Sequence, residues 1–586
     1  MPTDTPVRHY QDQIPLREQK IALVSLPFFS GFSSCYPLAL IKKLTQSGGY
    51  QCDTNHEFIE FILEFVQSDQ HFEFYKRLTH ESYVADICLL PLLRGWKPEM
   101  ESERRRLLKA YAVPLDLADN CLEVFQQLLE VWTTKLSSYD IIGISATHYQ
   151  LMPSIILIQN LKARLANDNK IVLGGYFASK KVARHLLDKH PEIDALVFGE
   201  AEGVWLELIQ SLFGGNNQRF VQGSSKGFGH YPLPDQHDVL DKIKGTWLQK
   251  HFQISLELSR GCYWDKCDFC NFNGSYETHF QRNNYQQIID VMDQLRDSYG
   301  QRRFQFIDTA LPPGFASFLV NNNISRDYEI FVEIRPDFSY KQLKALQHLG
   351  KLTVQIGIES LVDAHLEMMN KNATVATNIR SLLACKKLGI KVIWGVFVGH
   401  PKETHQHLYA VLENVQKWQH LPPPKYVTHC QVRPGSPLWD ERQVLGIVYY
   451  PLSDVFELLI DPIAEALEFY PYYESSSQQS GLSRELITQI EDAVTEWQTS
   501  PQYHCRYSCT NSLNLAIARM LDDSILTFDE LCNACKELDF PPEYVEKQLT
   551  EMVDHGIVYA GYQRKSRAQI YTLLKPESLL CEEKHV

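Results

Sequence analysis

Three cysteines stand in the run Arg260-Gly261-Cys262-Tyr263-Trp264-Asp265-Lys266-Cys267-Asp268-Phe269-Cys270-Asn271, with four residues between the first pair and two between the second. Thiolates this close together can close around one metal centre. Three of them leave a 4Fe–4S cluster with one iron free of protein ligands, and an open iron can chelate a small molecule through an amine and a carboxylate. Zinc and three unrelated core cysteines are the other readings. Zinc normally takes four nitrogen or sulfur ligands, and no partner pair at zinc-finger spacing follows. An apolar stretch at 254–258 precedes the run. The metal loop is therefore expected at the carboxyl end of a strand, where open α/β sheets usually bind ligands.

Whatever chelates the open iron needs polar partners nearby. Further apolar runs end in such groups: Asp308 closes Phe-Gln-Phe-Ile-Asp, Glu333 and Arg335 close Phe-Val-Glu-Ile-Arg, and Glu359 and Ser360 close Gln-Ile-Gly-Ile-Glu-Ser. One charged group in such a place is an ordinary solvated strand end. An unpaired charge at a barrel mouth is costly, so several from neighbouring strands predict a polar site.

The elements that would carry these residues alternate. Residues 20 to about 215 show short apolar runs at 21–26, 141–146, 171–173 and 195–198, with amphipathic stretches such as 154–165 and 181–190 between the later ones. Strand–helix alternation implies a parallel, doubly wound sheet. A charged, mostly helical insertion interrupts it at about 53–135. A polar, glycine-rich stretch at 214–229 marks a boundary. After it, strands are expected near 254–258, 304–307, 330–334, 353–357, 392–398 and 427–432, enough for a partial (β/α)6 barrel. The fold class is α/β: a Rossmann-like domain over 1–225, a barrel over 226–450, a connecting region over 451–510 and a winged-helix-like domain over 511–586. In the last, helices at 529–538 and 543–556 precede strands at 558–562 and 568–574.

Composition excludes several classes. With 586 residues, 44% apolar and 22% charged, the chain suits a soluble protein of several domains. No apolar run exceeds strand length, so no membrane span is expected, and residues 1–20 show no secretory or transit pattern. Net charge is −14 with no dense Lys/Arg stripe, and the short cluster Arg104-Arg105-Arg106 reads as a solvated helix face rather than a phosphate track, so nucleic acid is not an expected partner. Fourteen scattered cysteines do not resemble a secreted disulfide framework; a reduced, cytoplasmic setting is expected.

With these residues in place, 254–435 resembles a radical S-adenosylmethionine (SAM) enzyme. The residues carrying this are "SRGCYWDKCDFCNFNG", "FQFIDTALP", "FVEIRPD", "QIGIESL" with "MNKNATVATNIRSLLACKKLGI" behind it, "VIWGVFVGHPKET" and "HLPPPKYVTHCQVRPGSPLW". The resemblance extends to the cobalamin-binding subgroup, and within it to C-methyltransferases that mature ribosomally made peptides; "LVSLPF", "LGGY" and "FGEAE" in the front half agree.

The resemblance implies a 4Fe–4S cluster on Cys262, Cys267 and Cys270 whose open iron holds SAM. Phe269 would lie near the adenine. Asp308, Glu333, Arg335, Glu359 and Ser360 would hold its amine, ribose or carboxylate, and Gly395 to Gly399 would pass backbone against the adenine. Cobalamin would meet loop positions after the front strands: Pro27, Thr147, His148, Gly174, Gly175 and Glu200. The Asp-x-His-x-x-Gly signature that supplies a lower histidine ligand is absent. His148 is the candidate axial ligand, although a lone loop histidine is more often a hydrogen-bonding surface group. His400 in "GHPKE" stands where relatives tend to carry an apolar residue.

By that chemistry an external donor such as flavodoxin or ferredoxin reduces the cluster, a 5′-deoxyadenosyl radical abstracts hydrogen from an sp3 carbon, and methylcobalamin delivers a methyl group. The expected substrate is a ribosomal precursor peptide, its leader gripped by the C-terminal domain. Two alternatives stay open: a radical SAM enzyme that epimerises, cross-links or rearranges its substrate, and a non-catalytic iron–sulfur peptide-binding protein. Cys505, Cys509, Cys532 and Cys535 are expected in an apolar core; an auxiliary cluster or zinc site built from all four is the alternative.

Overall fold

The computed structural model describes residues 18–30, 32–93, 96–164, 169–176, 180–215, 218–224, 227, 231–272, 280–433, 435–447, 481–499, 512–521, 524–536, 540–554, 558–562 and 569–573. They fall into two compact units, one reaching to Ile254 and the other beginning at Ser255. Cys505 and Cys509 lie outside the described residues.

In the first unit six strands form one sheet: β1 (Lys20–Ser25), β2 (Gln51–His56), β3 (Ile141–Ala146), β4 (Lys170–Gly175), β5 (Ala195–Phe198) and β6 (Phe220–Gln222). Their order is β2-β1-β3-β4-β5-β6 and every pairing is parallel. Strands covered on both faces read as continuous apolar runs, which is why β1, β3 and β5 were legible. The order reverses between β1 and β3, where a doubly wound sheet opens a crevice at its carboxyl edge.

Two strands escape the sequence reading. The expected insertion from 53 begins as a strand, since Gln51–His56 pairs in register with Lys20–Ser25. Its residues, Gln-Cys-Asp-Thr-Asn-His, are polar because an edge strand has only one neighbour and little apolar surface to cover. Phe220–Gln222 is three partly exposed residues at the opposite edge, inside the stretch read as a boundary. The rest of the insertion is helical: Glu57–Phe65, Asp69–His80, Ser82–Leu89, Glu101–Ala110 and Leu115–Leu136. Its core is aromatic, with the Phe61 ring 5.4 Å from Phe28 and 6.3 Å from Phe125. The arginine triplet is also only partly what it promised. Arg105 and Arg106 pair on the surface with Glu101 and Glu103, but Arg104 is buried, donating from Nε to the Ile87 carbonyl at 3.2 Å and from Nη1 to Glu101 and Asp119.

His56, the last residue of β2, is buried, and its Nδ1 has no hydrogen-bond partner among the described residues. Burial, reinforced by the nearby Lys242 ammonium, lowers its pKa from 6.5 to about 3. Between those values the unfolded chain takes up a proton that the folded chain refuses, so stability falls as pH drops from 6.5 toward 3. His56→Gln is expected to remove about one proton from the pH dependence of urea unfolding in that window. A slope equal to wild type would refute the assignment.

The second unit opens with β7 (Ile254–Leu256), followed by a short antiparallel pair, β8 (Ser259–Arg260) and β9 (Gln281–Arg282). Then come β10 (Arg303–Phe306), β11 (Tyr328–Ile334), β12 (Gly350–Ile356), β13 (Lys391–Ile393), β14 (Gly395–Val398) and β15 (Tyr426–His429). One sheet runs β13-β12-β11-β10-β7 and a second pairs β14 with β15. The Phe397 amide donates to the Glu359 carbonyl at 2.7 Å, carrying the wall from β12 to β14 as a partial barrel. The single strand expected at 392–398 is thus two. It breaks at Trp394, a fully buried residue whose Nε1 donates to the Pro422 carbonyl at 3.0 Å and whose ring meets Trp497.

Helices follow the strands, and side-chain caps start them: Asn284 for Tyr285–Tyr299, Ser339 for Tyr340–Leu346, Thr374 for Val375–Leu388 and Thr404 for His405–Lys417. Alternation on β11 buries Tyr328, Ile330, Val332 and Ile334 on one face, leaving Glu329, Phe331 and Glu333 on the other.

Toward the C-terminus, helices Ser512–Leu521, Phe528–Lys536 and Pro542–Asp554 pack with β16 (Leu526–Thr527), β17 (Val558–Tyr562) and β18 (Gln569–Leu573). The antiparallel order β16-β18-β17 is a winged-helix outline. Cys535 is buried in its apolar core and Cys532 packs against that core. Tyr559 on β17 donates its hydroxyl to Asp363 Oδ2 at 2.5 Å, and its ring meets Trp418 edge-on at 5.8 Å. Among the described residues no helix is long and apolar enough to cross a membrane.

Candidate functional site

The cysteine loop leaves the sheet through the β8–β9 pair. Gly261 and Asp265 turn it with positive φ, at 81° and 53°, and the Cys270 amide donates to the Cys267 carbonyl at 3.2 Å. All three cysteines are half-buried and none is in a disulfide. The loop is stapled to the segment beyond β12. Trp264 Nε1 donates to the Asn370 carbonyl at 2.9 Å, Asn370 Nδ2 to the Lys266 carbonyl at 2.7 Å, and the Asp268 amide to the Met369 carbonyl at 3.3 Å. His400 Nε2 stands 3.1 Å from Asp268 Oδ1, tying the loop after β14 to the same place.

Two cations face this loop. Lys371 Nζ pairs with Glu359 Oε1 at 2.7 Å and lies 5.8 Å from the centre of the Phe269 ring. Gly357 makes room for it, since a β-carbon there would sit 2.8 Å from Lys371 Nζ. Arg335 stacks over Trp264 and Tyr263 and donates to the Lys371 carbonyl at 2.8 Å. Burial raises the Cys267 thiol, with Lys371 and Arg335 pulling the other way, and burial pushes Cys270 up to about 11. Both sulfurs are therefore protonated until a metal displaces the proton. Among the described residues no three His, Cys, Asp or Glu groups close around a single metal ion. Three thiols on one half-buried loop, opposite two cations, suit a cubane, whose thiolates each bind a different iron and whose cluster carries negative charge.

The residues expected to hold SAM gather around the carboxyl ends of β10, β11, β12 and β14, but several are already engaged. Asp308 accepts from the Leu258 amide at 3.1 Å and from Ser259 Oγ at 2.6 Å, and burial raises its pKa to about 7. Ser360 is buried against His365. Glu333 differs: its carboxylate has no hydrogen bond or ion pair among the described residues, and burial, with Glu359 nearby, raises it to about 7. Glu359 holds a positive φ of 59°, sparsely populated for a residue with a side chain. The Phe269 ring packs 4.8 Å from Phe397, two residues before Gly399, whose φ is 79°. Sequence reasoning missed Lys371, His365 and Glu403. Lys371 lies in the quoted "MNKNATVATNIRSLL", where its position just ahead of the Thr374 cap was the available signal.

In the first unit, Pro27, Thr147, His148, Gly174, Gly175 and Glu200 all fall at the carboxyl edge of the parallel sheet. The residue that ties the β1 and β3 ends together was not singled out. Gln150 is buried; its Nε2 donates to Ser25 Oγ at 3.0 Å and to the Leu26 carbonyl at 2.5 Å, and its Oε1 accepts from the Thr147 amide at 3.1 Å. Gln150→Leu is expected to lower the first unit's stability by about 2–4 kcal/mol, since it strands two buried acceptors and one donor. Urea melts of the two proteins check this, and a loss under about 1 kcal/mol would contradict it. Among the described residues nothing lies within 4 Å of where a β-carbon on Gly174 would be, so the sheet edge is open there. At Gly175, by contrast, φ is +118° and a β-carbon would meet the Ala146 carbonyl oxygen at 2.1 Å. A bare backbone step beside open space suits a large, flat ring such as a corrin.

Residues 256–415, which carry the cysteine loop and the barrel mouth, match the Radical SAM superfamily. An uncharacterized methyltransferase of Pyrococcus horikoshii is 24% identical over 395 residues, 58% of this chain and 81% of that protein. The anaerobic magnesium-protoporphyrin IX monomethyl ester cyclase of Rubrivivax gelatinosus is 24% identical over 365 residues, 57% of this chain and 60% of the relative. Among solved structures, the cobalamin-dependent SAM radical enzyme OxsB, with aqua-cobalamin and SAM bound, superposes with a TM-score of 0.54 at 13% identity, covering 92% of this chain and 71% of that one. The radical SAM methyltransferase TsrM from Kitasatospora setae, with tryptophan and a SAM analogue bound, gives 0.53 at 12% identity, covering 81% and 89%. At such identities the two structures show a common fold and nothing further.

Proposed function

We propose that the chain is a cobalamin-dependent radical SAM methyltransferase that methylates an unactivated sp3 carbon, in a ribosomally synthesised peptide. The observation that carries the reading is the Cys262/Cys267/Cys270 loop stapled to the barrel mouth opposite Lys371 and Arg335. The front sheet, open at Gly174 on its carboxyl edge, supports the cobalamin half of it. When bound, the cluster with SAM supplies a radical starter and cobalamin a transferable methyl group.

The chain's own residues bind and position. Cys262, Cys267 and Cys270 would hold the cluster, and Lys371 and Arg335 would offset its negative charge. Phe269, on Phe397, offers a flat apolar face beside the Gly399 backbone. Glu333 is the one strand-end carboxylate left without a partner among the described residues, so it is available to a ligand's donor group. Pro27, Thr147, Gly174, Gly175 and Glu200 would line the corrin site, held in place by Gln150. The winged-helix outline of the C-terminal module supports a role in holding the peptide's leader, and an external one-electron donor completes the scheme.

The test is anaerobic purification with iron, sulfide and cobalamin, followed by incubation with SAM, a reductant and a candidate ribosomal precursor peptide. Retained corrinoid absorbance, 5′-deoxyadenosine and a methyl mass increment on the peptide are expected. A folded protein that retains no corrinoid would end the methyltransferase reading, and a mass-neutral product would transfer it to epimerisation or rearrangement.

A further inference from the structure

We infer that Ser360, His365 and Glu403 form a positioning relay that locks the loop after β12 to the loop after β14 and thereby sets the affinity for SAM; this rests on the radical SAM reading above. His365 Nδ1 is 3.0 Å from Ser360 Oγ, and Glu403 Oε2 accepts from the Gly399 amide at 2.9 Å; between them His365 Nε2 and Glu403 Oε1 lie 2.8 Å apart as a charge contact that lacks hydrogen-bond geometry. Ser360 and His365 are completely buried and the Glu403 side chain is 5% exposed. The flanking contacts hold the same geometry. Asn378 Nδ2 donates to the Ile358 and Ser360 carbonyls at 3.0 and 2.8 Å, and the His407 ring stacks on His365 at 5.9 Å.

Packing alone does not call for such a chain. Burying a hydroxyl, an imidazole and a carboxylate is costly unless each is satisfied, whereas apolar side chains would fill the same volume without that penalty. What the polar chain adds is geometry, since its two end hydrogen bonds and the close His365–Glu403 contact are kept together only in one relative placement of the two loops. Those loops end in the backbone that matters at the mouth. One carries Glu359, at positive φ, with Ser360 beside it; the other carries Gly399, at positive φ, directly after the strand bearing Phe397. His365 and Glu403 reach the mouth only through Ser360 and Gly399, so they are positioning residues.

The experiment uses the full chain with its cluster reconstituted. SAM is titrated while the electron paramagnetic resonance spectrum of the reduced cluster is recorded, and KM and kcat for SAM cleavage and the melting temperature are measured in parallel. His365→Gln and Glu403→Ala are expected to raise the SAM concentration for half-maximal spectral change about tenfold, with KM rising more than kcat falls. Glu403→Gln, which keeps an acceptor for the Gly399 amide, is expected to recover most of that affinity. Should His365→Gln fail to fold, Glu403→Ala reads the same link from its other end. A lowered melting temperature with unchanged half-saturation would reduce the relay to a structural feature and overturn the proposal. A wild-type cluster whose spectrum ignores SAM would overturn the radical SAM reading itself, so the two failures are distinguishable.

Discussion

Replacing any one of Cys262, Cys267 and Cys270 by alanine is expected to reduce bound iron from about four per chain to a small remainder and to abolish SAM cleavage. Among the described residues no further His, Cys, Asp or Glu completes a metal-binding group at this loop. The fold itself should survive, because the loop is held by Trp264, Asn370 and the Asp268 amide rather than by the sulfurs. Iron and sulfide analysis, the cluster's visible absorbance and 5′-deoxyadenosine formation measure the effect, with circular dichroism as the fold control. A single variant that still assembles a full cluster and cleaves SAM would remove the assignment of that cysteine.

The second large effect separates two adjacent glycines. Gly174→Phe places its β-carbon where, among the described residues, nothing lies within 4 Å, so the melting temperature should stay close to wild type while corrinoid retention weakens about a hundredfold, as expected for a filled binding surface. Gly175→Ala adds one methyl group where φ is +118° and the Ala146 carbonyl oxygen would stand 2.1 Å away. Backbone strain plus that collision should lower stability by about 3–5 kcal/mol. The larger substitution is thus expected to be the better tolerated by the fold and the worse for the ligand. Equilibrium dialysis against hydroxocobalamin and thermal melts decide it. Undiminished corrinoid binding by Gly174→Phe would move the site away from the end of β4.

The barrel was legible because its strands are apolar and its helices are announced by Ser, Thr and Asn caps. The edge strands β2 and β6 were not, since a strand with one neighbour can be polar or only three residues long. The long run at 392–398 hid a break, because Trp394 is as apolar as its neighbours and only its indole bond to Pro422 shows that the chain changes partner there. At the site, strand periodicity placed Asp308, Glu333, Glu359 and Ser360 near one mouth but could not say which way each turns. Asp308 is taken by Leu258 and Ser259, and Ser360 by His365, and those partners come from loops whose path no local pattern encodes. Attention to His148 likewise passed over Gln150 two residues later, whose amide spans two strand ends and has no sequence signature.

The contact between Tyr559 and Asp363 bears on how such chains can be recombined. Asp363 Oδ1 accepts from the Val375 amide while Oδ2 accepts from Tyr559, so a single carboxylate serves both a barrel helix and the wing. Gly561 is part of the same joint, because a β-carbon there would come within 3.0 Å of Asp363 Oδ2. The C-terminal module is therefore not a detachable cassette: a chimera that exchanges it must carry a tyrosine and a small residue in the same register, or it will leave a half-satisfied acid two residues from His365.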